Sequence, residues 1–216
     1  MSVKVAVVTG GHSFDVPGFH DMIRSMDGAD ACVQHIDDFC SSTPETRRWY
    51  DVVLFYTMMM ETPKDEGLPW YAGRHKSALE SLGETKQGIF LLHHAILAYP
   101  EWPVWSELVG IHDRRFGYHI GETVRTLVGR PNHPITRGIR PWTMVDETYT
   151  MADTVDGSDL LLSCEHLKSM KTLAWARHYR SSRVFCYQAG HDNKAYANPH
   201  FREVVGRGIQ WCGGAL

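Results

Sequence analysis

Long apolar runs are missing from this sequence. No stretch approaches the roughly 20 consecutive apolar residues that a membrane-spanning helix needs, so no membrane partner is expected. An excess of one charge is missing too. The formal net charge is only −3, with acidic and basic residues interspersed, which argues against the basic surface that holds nucleic acid or anionic lipid. Paired cysteines are also absent. The five present (Cys32, Cys40, Cys164, Cys186 and Cys212) are odd in number and scattered, with no CxxC. That spacing disfavours a disulfide framework and a thiolate zinc site and predicts reduced thiols in a cytoplasmic protein. The chain opens on the strand-like run from Val3 to Val8 without the charged start and apolar stretch of a secretory leader, in keeping with a cytoplasmic location.

Several local signatures of chemistry are lacking. Gly10-Gly11-His12 is not GxGxxG, so the dinucleotide fingerprint is missing. There is no GxxxxGK[ST] phosphate loop, no GxSxG nucleophile elbow and no HExxH or HxH. Cys186 falls inside a strand-like run, an awkward place for a nucleophile. Covalent serine or cysteine catalysis is therefore disfavoured.

Ordered elements are plentiful. A length of 216 residues suits one substantial core and is short for two, so a single domain over 1–216 is expected. Val3–Val8, Cys32–Ile36, Asp51–Tyr56 and Gly88–His93 read as buried strands. Pro17–Met26 and Trp70–Leu82 read as helices between them, with apolar residues at helical spacing. Strands alternating with helices predict βαβ units. Further on, Trp102–Leu108 reads as a short helix. Gly121–Val128, Trp142–Thr150, Leu160–Cys164, Thr172–Arg177 and Arg183–Tyr187 read as strands, some of them antiparallel. His200–Trp211, with Pro199 at its start, reads as a closing amphipathic helix. The fold class predicted is α/β: a flavodoxin-like three-layer sandwich with a mostly parallel central sheet and helices on both faces. The segment from Thr57 to Pro69, with Met58, Met59 and Met60, reads as a long loop, packed against the body or acting as an apolar lip.

Thirteen histidines are present, and their positions matter more than their number. In open parallel sheets ligands bind beyond the carboxyl ends of the strands. The first strand runs into His12 and Asp15, the fourth into His93 and His94, and the strand ending at Tyr187 into His191, Asp192 and Asn193. Glu147 adds a carboxylate from a later strand. Imidazole and carboxylate together move protons near neutral pH. His12, His93, Glu147 and His191 are thus expected to be catalytic, with Asp15, His94, Asp192 and Asn193 toward the substrate. The same histidines would suit a divalent metal such as zinc, held by His12, His93 and His191. Spacing along the chain does not choose between these uses. His133 reads as part of a turn, and His20, His35, His75 and His166 read as surface residues.

The segments TGGHSFD, YDVVLFY, GIFLLHHAI, GRPNHPITRGI, WTMVDETY and RVFCYQAGHDNKAYANPHF, closing on GIQW, run in an order and spacing that resembles the trehalose-utilisation (ThuA-like) family across nearly the whole chain. That resemblance implies the class I glutamine amidotransferase-like fold. Amidotransferases carry a nucleophilic cysteine at the sharp turn after a central strand; here that turn reads Leu92-His93-His94-Ala95, so thioester chemistry on glutamine is expected to be lost. The resemblance also implies a core of His12, His93, Glu147 and His191, with Tyr149, Asp192 and His119 near the substrate. It further implies a role in the catabolism of a disaccharide or an oxidised sugar. The expected partner is a small carbohydrate, with Trp102, Trp105 and Tyr196 as candidates to stack on it. A metal-dependent hydrolase or isomerase, and a non-catalytic sugar-binding or assembly protein on the same scaffold, are the alternatives. Burial of the many tryptophans and methionines makes a homo-oligomer an expectation as well.

Overall fold

A computed structural model describes residues 2–155 and 157–216. Nine strands form one sheet in the order β2-β1-β3-β4-β9-β8-β7-β5-β6. The strands are β1 (Val3–Gly10), β2 (Ala29–His35), β3 (Val52–Thr57), β4 (Gly88–Leu92), β5 (Gly117–Val128), β6 (Trp142–Thr150), β7 (Asp159–Ser163), β8 (Thr172–Tyr179) and β9 (Ser182–Tyr187). The helices are α1 (Val16–Arg24), α2 (Ile36–Ser41), α3 (Pro44–Arg48), α4 (His75–Glu80), α5 (Pro103–Val109), α6 (Asn193–Tyr196) and α7 (Pro199–Cys212).

The first half of the sheet is parallel, because each connection crosses over through a helix. β1 pairs with β2 and β3, β3 with β4, and β4 with the late strand β9. The second half is antiparallel throughout: β9 with β8, β8 with β7, β7 with β5, and β5 with β6. The sheet is therefore mixed, which corrects the expectation of a mostly parallel one. The physical reason lies in the connections. β8 and β9 are joined by a hairpin at Arg180 and Ser181, with Arg180 at φ 50°, and a hairpin can only produce antiparallel neighbours.

Alternate residues of the buried strands feed two cores. Val3, Val5 and Val7 of β1 pack with Phe19, Met22 and Ile23 of α1 and with Phe201, Val204 and Ile209 of α7. Ala6 and Val8 turn to the other face, against Ile36 and Phe39 of α2, Leu79 of α4 and Trp105 of α5. A strand buried on both faces reads as a continuous apolar run, and this is why β1, β3 and β4 stand out in the sequence.

The helix expected over Trp70–Leu82 shrinks to α4. Gly73 sits at φ 73°, and a Cβ there would lie 2.5 Å from the backbone of Ser41. The chain turns there to let α2 approach, and the helix starts only after it. The short helices α2 and α3 lay outside the sequence reading. The methionine segment divides, with Met60 exposed and its two neighbours packed. Met58 and Met59 lie against the second core, and Tyr99 N–H donates to Met59 O at 2.6 Å.

Candidate histidine–carboxylate site

The parallel half delivers three strand ends to one place, and β6 brings a fourth. β4 ends at Leu92, and a single 3₁₀ turn, His93–Ile96, follows. His93 takes the left-handed backbone conformation, φ 55°, unusual for a residue with a Cβ and costing on the order of 1 kcal/mol. Its ring is fully buried, and its Nδ1 lies 2.7 Å from the carbonyl of Gln188. A carbonyl only accepts, so Nδ1 carries the proton and Nε2 is left facing the cluster.

Around that nitrogen the distances are close. His93 Nε2 lies 3.2 Å from Glu147 Oε2, which in turn lies 3.2 Å from His191 Nδ1. His93 Nε2 and His191 Nδ1 are 3.3 Å apart. The Tyr149 hydroxyl lies 2.9 Å from His93 Nε2. Side-chain exposure rises from 0% at His93 through 8% at Glu147 to 20% at His191, so the cluster runs from the protein floor to an open mouth. That mouth is a cleft of about 660 Å³ lined by His12, Ser13, Phe14, Asp15, His191, Asp192, Asn193 and Lys194.

Backbone and buried polar groups hold the frame. Asp146, the neighbour of Glu147 on β6, accepts from Gly190 N–H (2.8 Å), His191 N–H (3.0 Å) and Glu147 N–H (2.9 Å). It thereby ties the loop after β9 to β6. Tyr56 O–H donates to Gly190 O at 2.8 Å and lies 2.7 Å from the Tyr196 hydroxyl. Gly11, at φ 77°, passes so close to the chain after β3 that a Cβ would lie 2.6 Å from Met58 O. Only glycine brings the His12 loop this near.

The charges follow from this geometry. Burial alone would push the Glu147 carboxyl up, but hydrogen bonds and charge from His191 and His93 outweigh it and hold the group well below the usual carboxylate range. His191 is raised, first by its hydrogen bond to Glu147, with burial opposing and the charge of Glu147 adding to the effect. His12 is lowered, first by burial and then by the nearby charge of His93. His94 is pushed down to about 2, chiefly by burial. Complete burial raises the Asp146 carboxyl. The Tyr149 phenol is raised well above its ordinary value, first by burial and then by Glu147.

The expected residues divide as follows. His93, Glu147, His191 and Tyr149 come together. His12 stands at the edge, its ring centroid 4.6 Å from that of His94 and 6.1 Å from that of His191. His94 is buried behind the floor, 4.3 Å from the Tyr56 ring between centroids, and both its ring nitrogens lack a protein partner. Asp15 and Asn193 bond across the cleft mouth at 2.6 Å, and Asp192 caps α6 through Lys194 N–H. His119 is placed elsewhere: it pairs with Thr148 across the β5–β6 ladder, beside Glu122. As a metal set, His12, His93 and His191 do not converge. Among the described residues the group whose donor atoms gather within 4.8 Å is His93, Glu147 and His191, with Glu147 in place of His12.

Other expectations are corrected as well. Trp102 and Trp105 belong to the second core, with the Trp105 indole N–H donated to Ala95 O, and Tyr196 is also buried. None of the three offers a face to a sugar. His75 is buried against Asp37, with Nε2 2.9 Å from Oδ1, so it is no surface residue. His133 accepts from Ile135 N–H and shapes a turn. The sequence reading missed Asp146, Gln188 and Tyr56. Of these only Asp146 carried a signal, an acidic residue inside an otherwise apolar strand.

The class this defines is a mixed-sheet α/β protein, with two histidines that follow β4 and β9 beside a carboxylate carried by β6. Residues 7–212 match the ThuA family, described as trehalose utilisation, and the chain belongs to that family. No curated protein matches the sequence. Among solved structures, a ThuA-like protein from Parabacteroides merdae is similar at a TM-score of 0.76 and 16% identity, covering 99% of this chain and 90% of that one. A cytoplasmic protein from Salmonella typhimurium is similar at a TM-score of 0.67 and 13% identity, covering 97% and 99%. A glutamine amidotransferase from Thermotoga maritima is similar at 0.57 and 8%, covering 99% of both chains. At these identities the likeness is one of fold. Among the described residues no helix is long and apolar enough to cross a membrane.

Proposed function

We propose that this protein is an enzyme of sugar utilisation whose reacting centre is His93, Glu147 and His191, acting on a disaccharide or keto-sugar bound in the cleft beside His12. The family supports the sugar. One observation carries the site: two imidazoles and a carboxylate stand 3.2–3.3 Å from one another, and His191 of the three lines an open cleft.

The chemistry follows from how the groups differ. His191, raised by its hydrogen bond to Glu147, keeps its proton to higher pH than a free imidazole and lines the cleft, so it donates to or polarises a carbonyl or hydroxyl oxygen of the sugar. His12, lowered by burial, is neutral at the same mouth and accepts a proton. Two like groups set apart by their surroundings divide the acid and base roles. Glu147 orients His191 and balances its charge. His93, locked by Gln188, orients Glu147. Asp15, Asp192 and Asn193 line the mouth, where they offer hydrogen bonds to sugar hydroxyls. Amidotransferase chemistry has no nucleophile here: Cys186 is fully buried in β9 and its thiol is pushed far up by that burial.

The test is a panel of disaccharides and their keto derivatives, with products followed by NMR. Wild-type protein converts a member of the panel. His191→Ala and His12→Ala each lose at least ~100-fold in kcat while keeping the wild-type circular dichroism spectrum. Asp15→Ala raises KM more than it lowers kcat. Folded His191→Ala with full turnover defeats the proposal.

A further inference from the structure

The spacing inside the cluster says what occupies its centre. A proton lies along one edge between two atoms. It does not satisfy three donor atoms that are mutually equidistant. His93 Nε2, Glu147 Oε2 and His191 Nδ1 form such a triangle, with edges of 3.2, 3.2 and 3.3 Å. Charge-assisted N–H···O bonds are normally shorter, about 2.7–2.9 Å. Donors about 2.1 Å from a shared ion stand about 3.0 Å apart at right angles and about 3.4 Å apart at the tetrahedral angle. The observed edges fall between those two values.

The state of the ring nitrogens points the same way. Gln188 O takes the Nδ1 proton of His93 at 2.7 Å, which leaves a lone pair on Nε2 aimed at the carboxylate. That lone pair either accepts the Tyr149 hydroxyl proton at 2.9 Å or coordinates a cation shared with the carboxylate. A backbone carbonyl on the far nitrogen is also the usual way a ligating histidine is fixed in tautomer and orientation. Asp146 fixes the second histidine through its backbone N–H.

We infer that His93, Glu147 and His191 bind one divalent first-row transition-metal ion through Nε2, a carboxylate oxygen and Nδ1. Two imidazoles and a carboxylate on one face suit such an ion and leave its remaining positions toward the cleft. Those positions open on the mouth at His12, Asp192 and Asn193, where a carbonyl oxygen and an adjacent hydroxyl of a sugar would chelate. The inference rests on the function proposed above and deepens it: with the ion bound, His191 Nδ1 is a ligand rather than the acid, the ion would polarise the sugar oxygen in its place, and His12 keeps the base role.

The experiment measures the metal without any sugar. Untagged protein is stripped with a chelator and titrated calorimetrically with Zn²⁺ and Mn²⁺, and Co²⁺ is added in a separate arm to read its visible absorption. The expected result is one equivalent of tight binding and a Co²⁺ d–d band. Glu147→Gln and His191→Ala should each weaken binding by at least ~100-fold, and a histidine away from the site, His166→Ala, should leave it unchanged. Thermal melts of the stripped proteins show that the variants are folded. His191→Ala, at the exposed end of the cluster, is the variant least able to disturb the core. Absent stoichiometric binding by wild type, or equal affinity in both site variants, overturns the inference. Turnover of the sugar panel that persists in the stripped protein overturns the ion's part in the reaction and leaves the acid–base reading standing. One equivalent of bound metal with no sugar converted upholds the metal site and counts against the sugar.

Discussion

Glu147→Gln keeps the shape of the side chain and removes its charge, so its effect on metal-free protein is worked directly from distances. Glu147 Oε2 lies 3.2 Å from His191 Nδ1. At an effective dielectric of about 20, that separation corresponds to about 5 kcal/mol between unit charges. Solvent at the cleft mouth and relaxation around His191 reduce this, and His191 in the variant titrates lower than in the wild type. His191 is raised above 6.5 in the folded protein, so its contribution to stability is complete below 6.5 and is lost as pH rises through the raised value. Glu147 is lowered below 4.5, so its contribution is present above 4.5 and is lost as pH falls through the folded value. The stability gap between wild type and variant is therefore largest between 4.5 and 6.5 and narrows above that window. Histidine Hε1 resonances followed by NMR give the titration, and urea denaturation at several pH values gives the gap. An unchanged His191 titration in the variant would refute the reasoning, as would a gap that widens from about pH 6 to about pH 9.

Asp146→Ala leaves two buried N–H groups and the half-buried His191 N–H without their acceptor and is expected to cost about 3 kcal/mol in urea denaturation; a loss below about 1 kcal/mol would show that water replaces it. Gly11→Ala places a methyl 2.6 Å from Met58 O on a left-handed backbone. It should lose at least about 2 kcal/mol, whereas Gly67→Ala, with a similar φ and open space, should lose about 1 kcal/mol, both read from denaturant midpoints. Trp105→Ala removes a fully buried indole from the second core and should cost about 3–5 kcal/mol in thermal or urea unfolding. It should not change KM for any sugar the protein converts, because Trp105 does not reach the cleft.

The first half of the fold was legible because β1, β3 and β4 are buried on both faces and their composition says so. β6 was legible to the residue, and α7 through Pro199 and its apolar stripe. The direction of the later strands was not legible, since short polar connections such as Arg180-Ser181 give no period to count. The helix at residues 70–82 was over-extended because the approach of Ser41 to Gly73 is a contact between distant parts of the chain. In the site, chemistry-bearing residues at strand ends could be named from the strands that carry them. Their mutual distances could not, and so His12 was expected in the position that Glu147 takes among converging donors. Gln188 acts through its backbone carbonyl, which no side-chain pattern marks, and Asp146 showed only as an acid in an otherwise apolar strand. Trp102 and Trp105 were assigned to the sugar on residue type alone, while the core claimed them by volume.

A crystal structure of the protein with a sugar that it converts tests the central claim most directly. The account predicts a sugar oxygen within hydrogen-bond or coordination reach of His191 and Glu147, with the remaining hydroxyls against Asp15 and Asn193. A sugar seated instead in the cleft between α3 and α4, bounded by Arg47, Arg48 and Gln87, with His93, Glu147 and His191 untouched, would contradict it.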